Sequence, residues 1–175
     1  SNVTNFALSQ STVTGNGNGV ADEGLELDNV SGTAALNTVT ITGSAHNNVY
    51  IDNASGTLTA LTVTNGAYQN TGATFGAHGI LLTARSTANV SAISISGATF
   101  ASNYGSGVFL DVADTAGITD ALIQNNTLTS NGSALTLSQS GSATQSFRVL
   151  NNTLTGSTTA GCAPATSPRS RPTAT

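Results

Sequence analysis

The sequence predicts an all-β chain built as a solenoid, in which short strands stack coil upon coil around one shared core. Three observations carry this expectation. Segments with apolar residues at every second position recur along most of the 175 residues, and that is the period of a half-buried strand. Two of them superimpose in one register: Leu25-Glu-Leu-Asp-Asn-Val-Ser-Gly-Thr33 and Val49-Tyr-Ile-Asp-Asn-Ala-Ser-Gly-Thr57 share the run Asp-Asn and the run Ser-Gly-Thr. The composition agrees. Charged residues are 7% of the chain, against about 25% in ordinary soluble proteins, while Val, Ile, Leu and Thr recur in blocks, unlike the highly charged sequences that stay disordered.

The strands fall into two alternating series. The first runs through 24–29, 48–53, 79–84, 107–112 and 132–137. Its inward positions are Leu25, Val49, Ile80 and Val108, then Leu27, Ile51, Leu82, Leu110 and Leu135. The second series runs through 39–43, 61–65, 93–97, 121–125 and 147–151, with Ile41, Val63, Ile95, Ile123 and Val149 inward. Five residues beyond each of these anchors stand His46, Tyr68, Phe100, Leu128 and Leu154. A weaker leading copy lies near Phe6-Ala-Leu8 and Val13-Thr-Gly15. One coil has too little apolar surface to fold alone, so stacking at about 4.8 Å is required to join these positions into a core. Gly and Asn at strand ends supply positive-φ corners. Asn29 over Asn53, and Asn125 over Asn151, are expected at equivalent corners, their amides stacked along the axis. A sandwich would not need two superimposable copies one coil apart, and β-branched residues with Gly disfavour helix throughout. The expected domain is residues 1–160, about five to six coils. Residues 161–175 hold all three prolines, the only Cys and two of the four Arg, and read as a disordered tail or linker.

Charge and composition exclude some functions. The net charge is −4 and basic residues are not clustered, so nucleic-acid binding is not expected. No apolar run is long enough to span a membrane. A single Cys makes neither a disulfide framework nor a Cys-based metal site. The chain starts at Ser1, so it is expected to be a piece of a longer or processed protein.

These repeats resemble the right-handed parallel β-helix superfamily, which includes pectate-lyase-like enzymes, phage tailspikes and bacterial autotransporter and adhesin passengers. Residues 20–156 carry the resemblance, most clearly the strand start Gly107-Val-Phe-Leu110 and the runs Ile123–Leu128 and Val149–Leu154, each ending Asn-Asn-Thr-Leu. In character the chain is nearest to autotransporter and adhesin passenger repeats. The resemblance implies the right hand of the coil and a bacterial, secreted or surface-exposed setting. It also implies a non-enzymatic structural or adhesive rod, with a polysaccharide lyase, glycoside hydrolase or polysaccharide-binding module as the alternative.

The candidate site residues all lie on the outer face of the first series. Tyr50, Leu81 and Phe109 form an outward stripe suited to a sugar ring or a cell-surface ligand, with Asp111 beside it. The competing reading is a stripe covered by a long loop such as 66–78. Asp28 and Asp52 fall one coil apart with Asp22, Glu23 and Glu26 nearby, an arrangement that could hold Ca²⁺ through carboxylate oxygens. The competing reading is a solvated, mildly repulsive pair. In the lyases that the chain resembles, an Arg or Lys acts as base beside such a cation. Here Arg85 is read as lying past the strand, at a corner, and there is no Lys. No catalytic set is assigned, and His78 and His46 are read as corner residues.

Overall fold

A computed structural model describes residues 3–17, 19–74 and 76–158, together with the backbone of 162–164. Each round of the chain contributes three strands. The first round is β1 (Val3–Ser9), β2 (Thr12–Thr14) and β3 (Leu25–Asp28). The second is β4 (Val30–Asn37), β5 (Thr40–Thr42) and β6 (Val49–Asn53). The third is β7 (Thr57–Thr64), β8 (Ala67–Gln69) and β9 (Ile80–Ala84). The fourth is β10 (Asn89–Ser96), β11 (Thr99–Ala101) and β12 (Ser106–Val112). The fifth is β13 (Gly117–Gln124), β14 (Thr127–Thr129) and β15 (Ser133–Gln139). The last is β16 (Thr144–Leu150), β17 (Thr153–Thr155) and β18 (Cys162–Pro164). Every third strand pairs in parallel, giving three six-stranded sheets. The protein is therefore a parallel β-solenoid of about five turns, as the sequence predicts.

Its inward side chains form one continuous cluster. Val63, Ile95 and Ile123 stack in the first sheet, Ile41, Tyr68, Phe100 and Leu128 in the second, and Val49, Ile80 and Val108 in the third, all buried. Tyr68 and Phe100 stack ring on ring with centroids 5.4 Å apart.

The corners explain how the chain turns without helices. The residue after every first-sheet strand has positive φ (Gln10, Thr38, Asn65, Gly97, Asn125, Asn151), and so does the residue after every second-sheet strand (Gly15, Gly43, Asn70, Ser102, Ser130, Gly156). A left-handed residue at each position bends the strand direction sharply. Ser, Thr and Gln at this conformation cost about 1–2 kcal/mol each. The parallel pairing on both sides of each corner imposes it.

Four expectations are corrected. First, there are three sheets rather than two alternating series. Residues 39–43 do not belong with 61–65: Ile41 pairs with Tyr68 in the second sheet, and the partners of Leu61 and Val63 are Ala34 and Leu36. The run Thr-Val-Thr-Ile-Thr alternates more visibly than Ala-Ala-Leu-Asn, so periodicity favoured the wrong segment. Consequently Ile41, not His46, fills the column of Tyr68 and Phe100. Second, β15 is offset by two residues from the expected register. Leu135 pairs with Val108, Leu137 with Leu110, and Thr136 with Phe109. Gly132 was aligned with Gly107, but it belongs to the preceding corner, where its amide donates to Asn103 O. An offset of two keeps the same faces inward, so the core pattern was unaffected.

Third, the Asn columns differ. In each Asn-Asn pair the first residue takes positive φ (Asn125 54°, Asn151 55°) and the second turns inward. Asn126 accepts from Ala98 N and donates to Ile95 O and Asn152 Oδ1, each at 2.9 Å. Asn29 and Asn53 do not stack amide on amide either. Asn53 Oδ1 accepts from Val30 N and its amide donates to Val30 O, while Asn29 Oδ1 accepts from Ala54 N. Fourth, Cys162–Pro164, placed within the strandless tail, pairs with Leu135–Leu137. Residues 165–175 lie outside the described residues.

The Asn pair supplies a contrast that can be measured. Asn126→Ala removes the acceptor of the Ala98 N–H and one donor to Ile95 O, and is expected to cost about 1–3 kcal/mol. Asn125→Gly, at a left-handed corner, is expected to change stability by well under about 1 kcal/mol. Urea unfolding of the two variants checks this.

Candidate functional site

The passage from second to third sheet is the variable part of each coil. It is short at 102–105 and 130–132 but long at 70–79. Past it, Asn48 donates to Asn103 Oδ1 two rounds on at 3.1 Å, and Asn103 donates in turn to Asn131 Oδ1 at 2.8 Å. Between the loop and the two tight corners above it lies a cleft of about 700 Å³. Phe109 and His78 stand in it edge to face, with ring centroids 5.0 Å apart. Tyr104 stands at its rim with its side chain exposed, and its backbone amide is pinned to Thr71 Oγ1 at 2.9 Å. The remaining lining is Ser, Thr, Asn, Gly and Ala, and no Asp, Glu, Lys or Arg lines the cleft among the described residues.

His78 is held by a repeating device. Two residues before each of β3, β6 and β9, a side chain reaches one coil onward to accept a backbone N–H. Glu23 Oε2 accepts from Asn47 N at 2.6 Å, Asn47 Oδ1 from His78 N at 2.7 Å, and His78 Nδ1 from Ser106 N at 2.7 Å. A ring nitrogen that accepts carries no proton, so neutral His78 bears its hydrogen on Nε2. Burial, helped by His46, lowers its pKa to about 4, so the ring is neutral at pH 7. Gly105 closes over it: a Cβ there would lie 2.6 Å from His78 Nδ1 and 2.7 Å from Ala77 O, so only glycine fits this corner.

His46 Nδ1 lies 2.8 Å from Glu23 Oε1 and 3.0 Å from Asn47 Nδ2. Both histidines stand in passages between the second and third sheets, at corners as the sequence predicts. The signal of the repeating device was present: Glu23, Asn47, His78 and Ser106 each stand immediately before a first-series strand.

The residues singled out from the sequence fall on the expected face. Glu26, Tyr50, Leu81, Phe109 and Thr136 form one outward ladder, and Asp28, Asp52, Thr83, Asp111 and Ser138 the next. Through the two-residue offset of β15, Thr136 and Ser138 end the two ladders. Tyr50, Leu81 and Phe109 are half-buried rather than a free stripe, and of these only Phe109 lines the cleft. Asp111 does not line it. Burial and the neighbouring Asp52 charge raise the Tyr50 pKa.

Asp28 and Asp52 are neighbours as expected, but Arg85 reaches back to Asp52 and forms an ion pair with it. The sequence reading missed this contact: Thr83 pairs with Asp52, so Arg85 starts only one residue beyond Ala84, the partner of Asn53. Burial raises the Asp52 pKa; Arg85 opposes this and Asp28 adds to it. Two of the nearby acids have structural partners of their own. Asp22 accepts from Gly19 N, and Glu23 holds Asn47 and His46. Ca²⁺ takes six to eight oxygens. Two carboxylates with a guanidinium already seated on one of them do not fit that demand.

No protein-family model, curated protein or solved structure matches the chain.

Proposed function

We propose that this chain is a non-enzymatic segment of a secreted or surface-exposed β-solenoid rod that serves a structural and adhesive role in a larger bacterial protein. The observation that carries the reading is the lateral cleft. It is an aromatic and hydroxyl-lined recess with no charged group among the described residues, mounted on a continuous core. Three of the acidic groups are taken up as structural partners: Asp52 with Arg85, Asp120 with Arg148, and Glu23 with Asn47 and His46. The resemblance to right-handed pectate-lyase-like β-helices, and among them to autotransporter passengers, supports the same reading. A lyase on the Asp28–Asp52 face is disfavoured, because a guanidinium paired with a carboxylate stays protonated and is a poor base.

The test immobilises the chain on beads and measures their retention on glycan-coated surfaces and on cells. Product release from soluble polysaccharides is measured alongside, with and without Ca²⁺. Retention without new reducing ends or unsaturated products is expected. Turnover of any polysaccharide, abolished by Asp52→Asn, would replace the adhesive reading with an enzymatic one.

A further inference from the structure

The corner that joins β11 to β12 hangs on the 70–79 passage by three consecutive amides. Tyr104 N donates to Thr71 Oγ1 at 2.9 Å, Gly105 N to Ala77 O at 2.6 Å and Ser106 N to His78 Nδ1 at 2.7 Å. Only the third bond can be reversed by a proton. One and two coils earlier the accepting place is taken by Asn47 and Glu23. An Asn carbonyl stays an acceptor, and a protonated carboxyl still keeps one accepting oxygen. An imidazole that gains a proton is a donor at both nitrogens and has no acceptor left.

We propose that His78 is an acid-operated latch: protonation at Nδ1 detaches the 104–106 corner from the 70–79 passage while the rest of the stack stays folded. The corner forms one wall of the cleft, so the latch governs the shape of that wall whatever the cleft binds. The ring cannot evade the conflict by shifting a proton, since the cation carries one on each nitrogen. Nor can it slide aside in place. Gly105 lies against Nδ1 so closely that a Cβ there would stand 2.6 Å away, and the Phe109 ring meets the imidazole edge to face. Opening the corner is the movement left, and it lets water reach the cation. The break has a natural limit. From Val108 onward β12 is paired on both sides, with β9 and β15, and each coil of a solenoid contacts only its neighbours. His46, one coil below and bonded to Glu23, adds to the repulsion of a charge on His78. Asn47, Ser106 and Phe109 around the ring are uncharged, and the Tyr104 phenol on the corner is exposed. Burial keeps the ring neutral at pH 7 and lowers its pKa to about 4, so the latch is shut at neutral pH and opens as pH falls toward 4.

Coupling across the hydrogen bond between Ser106 N and His78 Nδ1 reads the latch in the ¹⁵N-labelled full chain. It is expected at pH 7 and lost by pH 4. The Ser106 and Gly105 amides are expected to lose protection from hydrogen exchange over the same range, by up to about a hundredfold after correction for the intrinsic rate. The couplings of Thr99 N–H to Gly66 and of Thr127 N–H to Ala98, in the second sheet, are expected to persist, as is the circular dichroism spectrum. In His78→Asn the amide oxygen takes over the Ser106 bond, as that of Asn47 holds His78 N one coil earlier, and the acid response of Ser106 and Gly105 is expected to vanish. A Ser106–His78 coupling that survives at pH 4, or that is missing at pH 7, would overturn the inference. So would loss of the second-sheet couplings together with it, which would mean that acid unfolds the whole stack, and so would an unchanged acid response in His78→Asn. The parent readings decide the matter even without the variant.

Discussion

Phe100→Ala is expected to lower the stability of the protein by about 3–5 kcal/mol, the usual cost of emptying a fully buried aromatic site. Phe100 has no exposed surface, stacks on Tyr68 below and pairs with Leu128 above. The cavity cannot collapse easily, because each neighbour is held by its own parallel strand. In a solenoid the damage is local in origin, since each coil contacts only its neighbours. Hydrogen exchange should therefore show lost protection centred on β8, β11 and β14, spreading from there toward the ends. Urea unfolding measures the size of the effect, and a loss under about 1 kcal/mol would mean that Phe100 does not fill the core column.

Acid is expected to act through His78. Its pKa in the folded protein is about 4, below the ordinary 6.5. Between these values the unfolded chain binds a proton that the folded chain refuses, so stability falls as pH falls. The contribution is fully present above pH 6.5, declines as pH drops toward 4, and levels off below that. Its full size is roughly 3 kcal/mol, from about 1.4 kcal/mol per unit. Protonation puts a hydrogen on Nδ1, where Ser106 N–H already points, and places a charge beside His46. Asp52 acts with the opposite sign, because its raised pKa favours the folded state as acid is added. Comparison of parent and His78→Asn cancels that effect, since Asp52 is common to both. The variant should match the parent at pH 7 to within about 1 kcal/mol and lose much less stability by pH 4. Equal acid sensitivity in both proteins would show that His78 is not buried as described.

Much of the architecture was legible because stacking repeats the same physical demand in every coil. Leu27 over Ile51 over Leu82 over Leu110 is four answers to one question, and alternation exposes it. Three-residue strands defeat that method. Ala67–Gln69 and Thr127–Thr129 are too short to show a period of their own, so, apart from 39–43 with its visible alternation, the second sheet shows in the sequence only as large residues trailing each anchor. The left-handed corners were foreseen at Gly and Asn but not at Thr38, Ser102 or Ser130, whose conformation the stack imposes rather than their own preference.

The candidate site was legible only in part. Phe109 was found because outward aromatics stand out on a Thr-rich face. The cleft around it was not, since its walls are Gly, Ser and Thr at corners whose lengths differ from coil to coil. Arg85 was read by its place in the chain, whereas the length of its side chain decides its partner.

The central claim is that each coil is three parallel strands in the register given above, since the cleft and both histidines follow from it. Scalar couplings across hydrogen bonds test it most directly. Thr40 N–H should couple to the Ser11 carbonyl, Ala67 to Val39, Thr99 to Gly66, Thr127 to Ala98 and Thr153 to Asn126, one bond per coil down the edge of the second sheet. That set of couplings is the predicted result. Coupling of the 39–43 segment to 61–65 instead, or any antiparallel pattern among these strands, would contradict it.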